Sequence, residues 1–375
     1  MTPSARMNQD DEPILDGIFL GGFECSYHRL EDGRRLDMLA STRHDELASA
    51  DYARLRSVGI TACRDGVSWV KVERSASEYD FTLFSRMLRA ADEQRVQVIW
   101  DLLHFGWPDS VDVFSPSFPS RFAGYARAFA RCYSNETDQL PMIAPINEIS
   151  FLAWAGGDVR CMNPYEAARG VELKAQLVRA TIEAIEAIRS VLPRARFVQP
   201  EPVINILPAA EHPKTWRRVE SDHLLQYQAW DMLSGRVWPS LGGHPRYLDI
   251  IGVNFYPDNQ FMLDGTTIRR GHERYKPFSA MLLDVWARYG RTMIVSETGS
   301  EGEERAPWLE YVSDQCILAL RDGCELHGVT LYPIVNHPGW LDNRHCLNGL
   351  WDYADERGHR PAYQPLGDEI SRQTP

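Results

Sequence analysis

Short apolar runs alternate with amphipathic segments along almost the whole chain, and no other feature of the sequence constrains the fold as strongly. The runs are too short for buried helices and are continuously apolar, as expected of strands covered on both faces. They begin at residues 18, 59, 96, 141, 197, 248, 292 and 328. Helices are predicted after them at 45–58, 81–94, 118–134, 163–192, 223–234, 278–289, 308–320 and 350–370. Strict alternation of eight strands and eight helices predicts an α/β fold, a parallel sheet closed into a (β/α)8 or TIM barrel.

The barrel is predicted to be a single domain covering residues 14–375, because the chain has no linker-like segment and no break in composition. Residues 1–13 are polar and acidic and are expected to form a loose N-terminal tail. The rival architecture is a doubly wound open sheet, which usually carries a glycine-rich phosphate-binding loop after its first strand. Gly21 and Gly22 are followed by the acidic Glu24, which is not such a loop. The barrel is therefore favoured.

The longest predicted helix, at 163–192, carries the strongest start signal in the chain. Asn163 is a favourable N-cap, Pro164 suits the first helical position, and Glu166 completes a capping box. Pro193 marks the predicted end.

Composition limits the kinds of partner. The formal net charge is −12 without a dense run of lysine or arginine, which argues against nucleic acid or an anionic membrane surface as the ligand. No apolar run approaches the roughly 18 residues of a membrane span. The seven cysteines are scattered without a C-x-x-C pair, so reduced thiols, no metal site, no cofactor and a cytoplasmic location are expected. Small neutral ligands fit this surface best.

Two of the predicted strands end in glutamate. The run at 141–148 ends in Asn147 and Glu148, and the run at 292–297 ends in Glu297. Because the carboxyl ends of all barrel strands meet at one face, the two acids are expected to share a pocket. Paired carboxyl groups are what the cleavage of a glycosidic bond requires.

The other strand ends carry polar and aromatic side chains. Amides, histidine and arginine bind sugar hydroxyl groups, and tryptophan packs on the apolar faces of sugar rings. Each of these side chains alone is as readily explained by a structural role, but together they favour a sugar-binding site. The candidates at the strand ends are Ser26, His28, Arg64, Trp69, His104, Glu201, Asn254, Tyr256, Asn336, His337 and Trp340.

At several of these positions the sequence resembles the family 1 glycoside hydrolases, and the resemblance runs from Phe19 to about Tyr363. R-D-G-V-S-W at 64–69 is similar to the family's R-F-S-I-S-W, and H-F-G-W-P at 104–108 is similar to H-W-D-L-P. The segments I-N-E-I, G-V-N-F-Y and V-S-E-T-G resemble F-N-E-P, G-V-N-Y-Y and I-T-E-N-G; they lie at 146–149, 252–256 and 295–299.

The resemblance implies a retaining β-glycosidase acting on a small β-glycoside or oligosaccharide, with two catalytic glutamates. Glu148 would be the acid/base and Glu297 the nucleophile, supported by Arg64 and Tyr256. Asn147 would hold the sugar 2-hydroxyl group. His104 would bind another hydroxyl group, and Trp340 would form the floor of the sugar site.

Two positions depart from the family pattern for glucose. Members that use glucose carry a glutamine near the end of the first strand, where His28 or Arg29 stands here. They also carry a Glu-Trp pair after the eighth strand, where Gly339 precedes Trp340. The usual bonds to the outer hydroxyl groups of glucose are therefore expected to be absent or replaced, and the identity of the sugar stays open.

The sequence leaves other functions open. A transglycosidase would use the same residues, and a carbohydrate-binding pseudoenzyme would share the fold. A metal-dependent barrel hydrolase is disfavoured, because no His-x-His pattern ends the first strand.

Overall fold

A computed structural model describes residues 14–208, 213–340 and 342–374. The predicted N-terminal tail, residues 1–13, lies outside the described residues. A closed barrel of parallel strands forms the centre of the molecule. Its strands are β1 (Phe19–Gly22), β2 (Ala62–Gly66), β3 (Gln97–Asp101), β4 (Met142–Ala144), β5 (Arg196–Pro202), β6 (Ile250–Asn254), β7 (Met293–Thr298) and β8 (Leu326–Leu331).

Each strand pairs with its neighbours in the sequence, and β1 closes the barrel by pairing with β8, with Phe19 opposite Val329. The barrel that the alternation predicted is confirmed. A helix follows each strand: α1 (His44–Ser57), α2 (Thr82–Gln94), α3 (Phe118–Glu136), α4 (Gly170–Arg189), α5 (Gln228–Leu233), α6 (Phe278–Tyr289), α7 (Arg305–Arg321) and α8 (Gln364–Gln373).

Shorter elements decorate the loops. Helical turns lie at Met38–Ser41, Trp69–Val72, Ile149–Leu152, Ala153–Asp158, Leu225–Tyr227, Pro239–Leu241, Pro245–Tyr247 and Gly302–Glu304, and a further helix at Pro213–Leu224. Three small two-stranded sheets pair Tyr27–Arg29 with Arg35–Asp37, Glu73–Ser75 with Glu78–Tyr79, and Asn205–Leu207 with Gln260–Met262. Among the described residues, no helix combines the length and the apolar character needed to cross a membrane.

The barrel interior changes from apolar to polar along the strands. Its lower part is filled by a small cluster that includes Ala62, Ile99 and Ile294. Side chains two residues apart on a strand share a face. The next inward residues on β2 and β3 are therefore Arg64 and Asp101, both buried. The strand period thus carries charged groups to the carboxyl end of the barrel.

The helix predicted at 163–192 is shorter than expected. Helix α4 begins only at Gly170, and Asn163 and Pro164 lie in the preceding loop. The carboxylate of Asp158 accepts a hydrogen bond from the Gly170 amide at 2.7 Å, so the cap comes from a residue twelve positions upstream. A capping box is a local signal, and here a contact made by the folded loop overrides it.

Two further predicted helices differ from the observed ones, and the first difference also has a long-range cause. The helix predicted at 350–370 is observed only at Gln364–Gln373, because Trp351 forms bridges to Val335 and Ala362 and holds the preceding segment extended. The helix predicted at 223–234 is divided, with a tight turn at Leu225–Tyr227 before α5.

Candidate active site

Glu148 follows β4 and adopts a left-handed backbone conformation, with φ 46° and ψ 61°. This conformation is uncommon outside glycine and is found preferentially at functional sites. The Asn254 side-chain amide donates a hydrogen bond to Glu148 Oε1 at 2.8 Å. Burial, and then the negative charge of Glu297, raise the pKa of Glu148 well above the usual glutamate range. Glu148 is therefore poised as a neutral acid.

Glu297 lies near the end of β7 and is buried. Its Oε1 accepts a hydrogen bond from Arg64 Nη1 at 2.6 Å, and its Oε2 accepts one from the Tyr256 hydroxyl at 2.8 Å. Both partners are donors and one is a cation, so the carboxylate form satisfies both contacts. The two glutamates thus have opposite surroundings within one cavity.

Arg64 links the two sides of the site. Its guanidinium donates to both oxygens of Asp101, at 2.9 and 2.7 Å, and to Asn147 Oδ1 at 2.6 Å. It is fully buried. The fork geometry of arginine therefore fixes Asn147 and the Glu297 carboxylate relative to each other.

His104 completes a ring of hydrogen bonds with these groups. Its Nδ1 lies 2.9 Å from Asp101 Oδ2, and its Nε2 lies 3.1 Å from the side-chain nitrogen of Asn147. Because Asn147 Oδ1 already faces Arg64, its amide nitrogen is the donor, and His104 Nε2 accepts. Asp101 thereby holds the imidazole in a single orientation.

One cavity of about 1400 Å³ opens at the carboxyl ends of the strands. Both glutamates line it, together with His104, Tyr256 and Trp340. These five are among the site residues predicted from sequence, and the structure brings them to one wall. Arg64, Asn147 and Asn254 lie directly behind that wall, bonded to the residues that line it.

Glu201 and His28 lie close to the cavity without opening onto it. The carboxylate of Glu201 accepts a hydrogen bond from the Ser150 amide at 3.0 Å, and burial raises the pKa of Glu201 to about 7. His28 is buried with its ring 5.5 Å from that of Trp340. Neither ring nitrogen of His28 has a hydrogen-bond partner among the described residues.

Trp69 and Asn336 were predicted to bind substrate, and the structure places both elsewhere. Trp69 begins a short helix capped by Ser68, and its ring stacks on Tyr125 in the layer outside the barrel. Asn336 uses its side chain internally, donating to Asp352 at 3.0 Å and accepting from the Gly349 amide at 2.7 Å. A position after a strand does not by itself fix where a side chain points.

Sequence reasoning predicted His337 in the pocket but missed three residues of the site: Glu24, Asp101 and Tyr332. Glu24, Tyr332 and His337 line the cavity. Glu24 Oε1 lies 3.9 Å from His104 Nε2 and accepts a hydrogen bond from the Ser26 amide at 2.9 Å. Strand periodicity could have found Asp101, since it follows the inward residue Ile99 by two positions.

Cys25, Asp101 and His104 place possible metal-ligand atoms within 4.8 Å of one another. Asp101 already accepts two hydrogen bonds from Arg64. Burial, and then the charge of Asp101, raise the pKa of the Cys25 thiol well above its usual value. A protonated thiol is a poor metal ligand, so this trio fits the hydrogen-bonded role seen here better than a metal site.

No family model matches the sequence, and no curated protein matches it in sequence. Solved structures do match in three dimensions. A β-glucosidase from Thermotoga maritima in complex with glucoimidazole superposes with a TM-score of 0.77 at 14% identity, covering 96% of this chain and 97% of that one. A structure described as a family 1 β-glucosidase from Thermotoga maritima gives 0.74 at 14% identity, covering 95% and 96%. The AHE enzyme from Alicyclobacillus herbarius gives 0.76 at 16% identity, covering 96% and 99%.

The chain has the fold of the family 1 β-glucosidases. At such low identity the likeness concerns the fold, and the chemistry rests on the residues of this site. Position 339, where glucose-using members of family 1 carry a glutamate, is closely approached by a side chain in this structure. A β-carbon on Gly339 would lie 2.0 Å from Asp342 Oδ1, so a glutamate cannot occupy position 339 unless Asp342 moves.

Proposed function

We propose that this protein is a divergent family 1 glycoside hydrolase that cleaves β-glycosides with retention of anomeric configuration. The observation that carries the proposal is the contrast between Glu148 and Glu297. One carboxyl has a pKa raised well above the usual range by burial, and the other accepts hydrogen bonds from a guanidinium and a phenol. An acid and a carboxylate in one cavity are the two groups that the cleavage of a glycosidic bond requires, and the resemblance of the Glu297 segment to the nucleophile strand of family 1 favours double displacement.

In the first step the Glu297 carboxylate attacks the anomeric carbon, and a covalent glycosyl-enzyme forms as the bond to the leaving oxygen breaks. Glu148 gives its proton to that oxygen, so the leaving group departs as a neutral alcohol. Asn147, fixed by Arg64 and His104, is positioned to bind the sugar 2-hydroxyl group, a contact that strengthens toward the transition state.

In the second step Glu148 acts as a base. Once Glu297 is an ester it has lost its negative charge, which is one of the two main causes of the raised pKa of Glu148. The pKa of Glu148 then falls, and its carboxylate removes a proton from water. The water attacks the anomeric carbon and releases the sugar with its original configuration.

A panel of aryl β-glycosides, assayed between about pH 5 and 7, tests for hydrolysis. The configuration of the first product, read by proton NMR before mutarotation, tests the mechanism, and an inverted product would contradict retention. A carbohydrate-binding pseudoenzyme would turn over no glycoside in the panel. A transglycosidase would form glycoside products in preference to free sugar when an alcohol acceptor is added.

The variant Glu297→Ala identifies the nucleophile. Azide should restore turnover of an activated aryl glycoside and yield a glycosyl azide of inverted configuration, because azide enters the space left by the carboxylate. Glu310→Ala is the matched control, since Glu310 is exposed on α7 and lies outside the cavity lining. Full activity in Glu297→Ala without azide would refute the assignment.

A further inference from the structure

An unbroken row of aromatic rings runs along one side of the catalytic cavity. The ring of Trp340 lies 5.5 Å from Phe105, Phe105 lies 5.7 Å from Phe151, and Phe151 lies 5.9 Å from Trp154. All four residues line the cavity. Trp154, at the outer end, is 52% exposed although it is a large apolar side chain. The row leads from the interior of the site to solvent.

The outer half of this row lies on the side of the acid/base glutamate. Glu148 is the N-cap of the short helix Ile149–Leu152, which carries Phe151, and Trp154 follows in the next turn. A general acid must lie beside the oxygen to which it gives its proton. The leaving group therefore extends along Phe151 and Trp154.

Aliphatic side chains continue this surface around the mouth of the cavity. Val171 lies at the start of α4 and Val159 lies in the segment before it. The others lie in or beside the small sheet and the turn that follow β5 and β6; they are Ile204, Ile206, Leu225 and Leu263. Val171 is 60% exposed and Leu225 is 46% exposed. Exposed apolar side chains gathered around a binding cavity mark a surface that is covered when a ligand binds.

Several charged side chains that line the same cavity have hydrogen-bond or ion-pair partners within the protein. Arg269 lies 3.2 Å from Asp258, and Arg218 lies 3.4 Å from Asp222. The buried Lys174 donates to Gln228 at 2.9 Å. A sugar as leaving group would need free hydrogen-bond partners for its hydroxyl groups. The aromatic row and the aliphatic side chains around the mouth of the cavity offer mainly apolar surface instead.

We infer that the leaving group of the natural substrate is a large apolar aglycone, a long alkyl chain or a fused aromatic system, bound along Phe151, Trp154 and Val171. This inference rests on the proposed glycosidase function and adds the substrate class. The sugar of the substrate occupies the inner cavity beside both glutamates.

The test is a series of alkyl β-glycosides with methyl, butyl, hexyl and octyl chains. All of them carry the same sugar, which is the one that the aryl glycoside panel shows to be hydrolysed best. Their leaving groups have nearly equal acidity, so kcat/KM reports contact with the chain. Full burial of a methylene gives about a fourfold gain, and partial burial predicts a rise on the order of 10- to 100-fold from butyl to octyl. Phenyl and 2-naphthyl glycosides form the aromatic arm, and a matching disaccharide forms the sugar arm.

The variants Trp154→Ser and Val171→Ser should each lower the octyl-to-butyl ratio of kcat/KM, and together by roughly tenfold, because they remove apolar contact area. The matched control is Ile317→Ser. Ile317 is 41% exposed on α7 and does not line the cavity, so this variant should leave the ratio unchanged. Melting temperatures of the four proteins check that each is folded.

The outcomes separate the two proposals. Turnover that is independent of chain length, or a preference for the disaccharide over the octyl glycoside, would overturn the inference and leave the glycosidase function standing. No turnover of any glycoside would overturn the proposed function. Calorimetry with the octyl β-thioglycoside, which resists hydrolysis, then still decides the inference: binding that weakens in Trp154→Ser supports the apolar wall, and the absence of binding refutes it.

Discussion

Two clusters of buried charge, both anchored on β2, have opposite roles. The first lies between the barrel and α1, where His44 bonds Asp51 and Asp65, each at 2.8 Å. Arg360 donates to both oxygens of Asp51, at 2.7 and 3.0 Å, and Tyr52 donates to Asp65 at 2.6 Å. Burial lowers the pKa of His44, but Asp65 and Asp51 outweigh burial and raise it to about 9. Two buried carboxylates therefore face two buried cations, and the partly exposed Arg54 also pairs with Asp51.

The second cluster is the candidate active site, and its charges do not balance. Arg64 is shared between Asp101 and Glu297, whereas Glu148 receives a hydrogen bond, among the residues that the structure describes, only from the neutral amide of Asn254. Glu148 consequently holds its proton, beside a cavity that a ligand can enter. Balanced charge sealed in the interior stabilises the fold, and unbalanced charge facing a cavity supplies reactivity.

The largest expected effect on activity comes from removing the negative charge of Glu297 from the second cluster. Glu297→Gln should lower kcat by more than about 10⁴-fold, because an amide cannot form the glycosyl ester. Folding should be retained, since Arg64 keeps its bonds to Asp101. Steady-state rates and circular dichroism check the two halves of this prediction, and wild-type activity in the variant would contradict it.

Glu148→Gln should have a smaller effect that depends on the substrate. For alkyl glycosides a loss of about 10²- to 10⁴-fold is expected, and for activated aryl glycosides the first step should suffer less because their leaving groups need no proton. Under the proposed mechanism Glu148 is the acid and its pKa is raised, so wild-type activity should fall as the pH rises through that pKa. The alkaline limb of the pH profile should be lost in the variant. An unchanged limb would assign the acid to another residue.

Breaking the balanced cluster should affect stability and not chemistry. Arg360→Met removes one buried partner of Asp51, which keeps His44 and Arg54, and should lower the free energy of unfolding by about 2–3 kcal/mol. Arg218→Met is the control, because the exposed pair of Arg218 and Asp222 should contribute less than about 1 kcal/mol. Urea unfolding measures both variants. The kcat of the folded Arg360→Met protein should match the wild type, and a large fall in kcat would show that the clusters are coupled.

The balanced cluster should also make stability depend on pH. The pKa of His44 is about 9 in the folded chain against about 6.5 in the unfolded chain, so the charged form is favoured by folding. The contribution, up to about 3 kcal/mol, is fully present below pH 6.5 and is lost as the pH rises through 9. Urea unfolding at pH 6 and pH 10 measures the difference. In the His44→Gln variant the free energy of unfolding should fall less between pH 6 and pH 10. An equal fall in the variant and in the wild type would refute the role of His44.

The sequence was sufficient to predict the barrel and the meeting of Glu148 with Glu297. Both follow from repeated local signals, namely the strand period and the position of the acids at strand ends. Because the strand ends of a closed parallel sheet meet at one face, acids at these positions lie close together. The balanced cluster was not predicted, because His44, Asp51, Asp65 and Arg360 come from distant parts of the chain without a shared pattern.

The errors have a common physical cause. Trp69, Asn336 and the start of α4 were interpreted from their immediate neighbours in the sequence. Each is settled by a contact with a partner from another part of the fold, namely Tyr125, Asp352 and Asp158. Local pattern fixes where an element lies, whereas the direction of a side chain at its end depends on packing that the pattern does not contain.

The left-handed backbone at Glu148 has a consequence for how the chain evolves. A glutamate there bears a conformational cost of about 1 kcal/mol or more, in addition to the cost of burying its carboxyl group. Asparagine and glycine tolerate this conformation better, so random substitution at position 148 would include changes that make the protein more stable. A lineage that no longer used the acid would drift toward such residues. The presence of glutamate at this position therefore agrees with the catalytic role proposed for it.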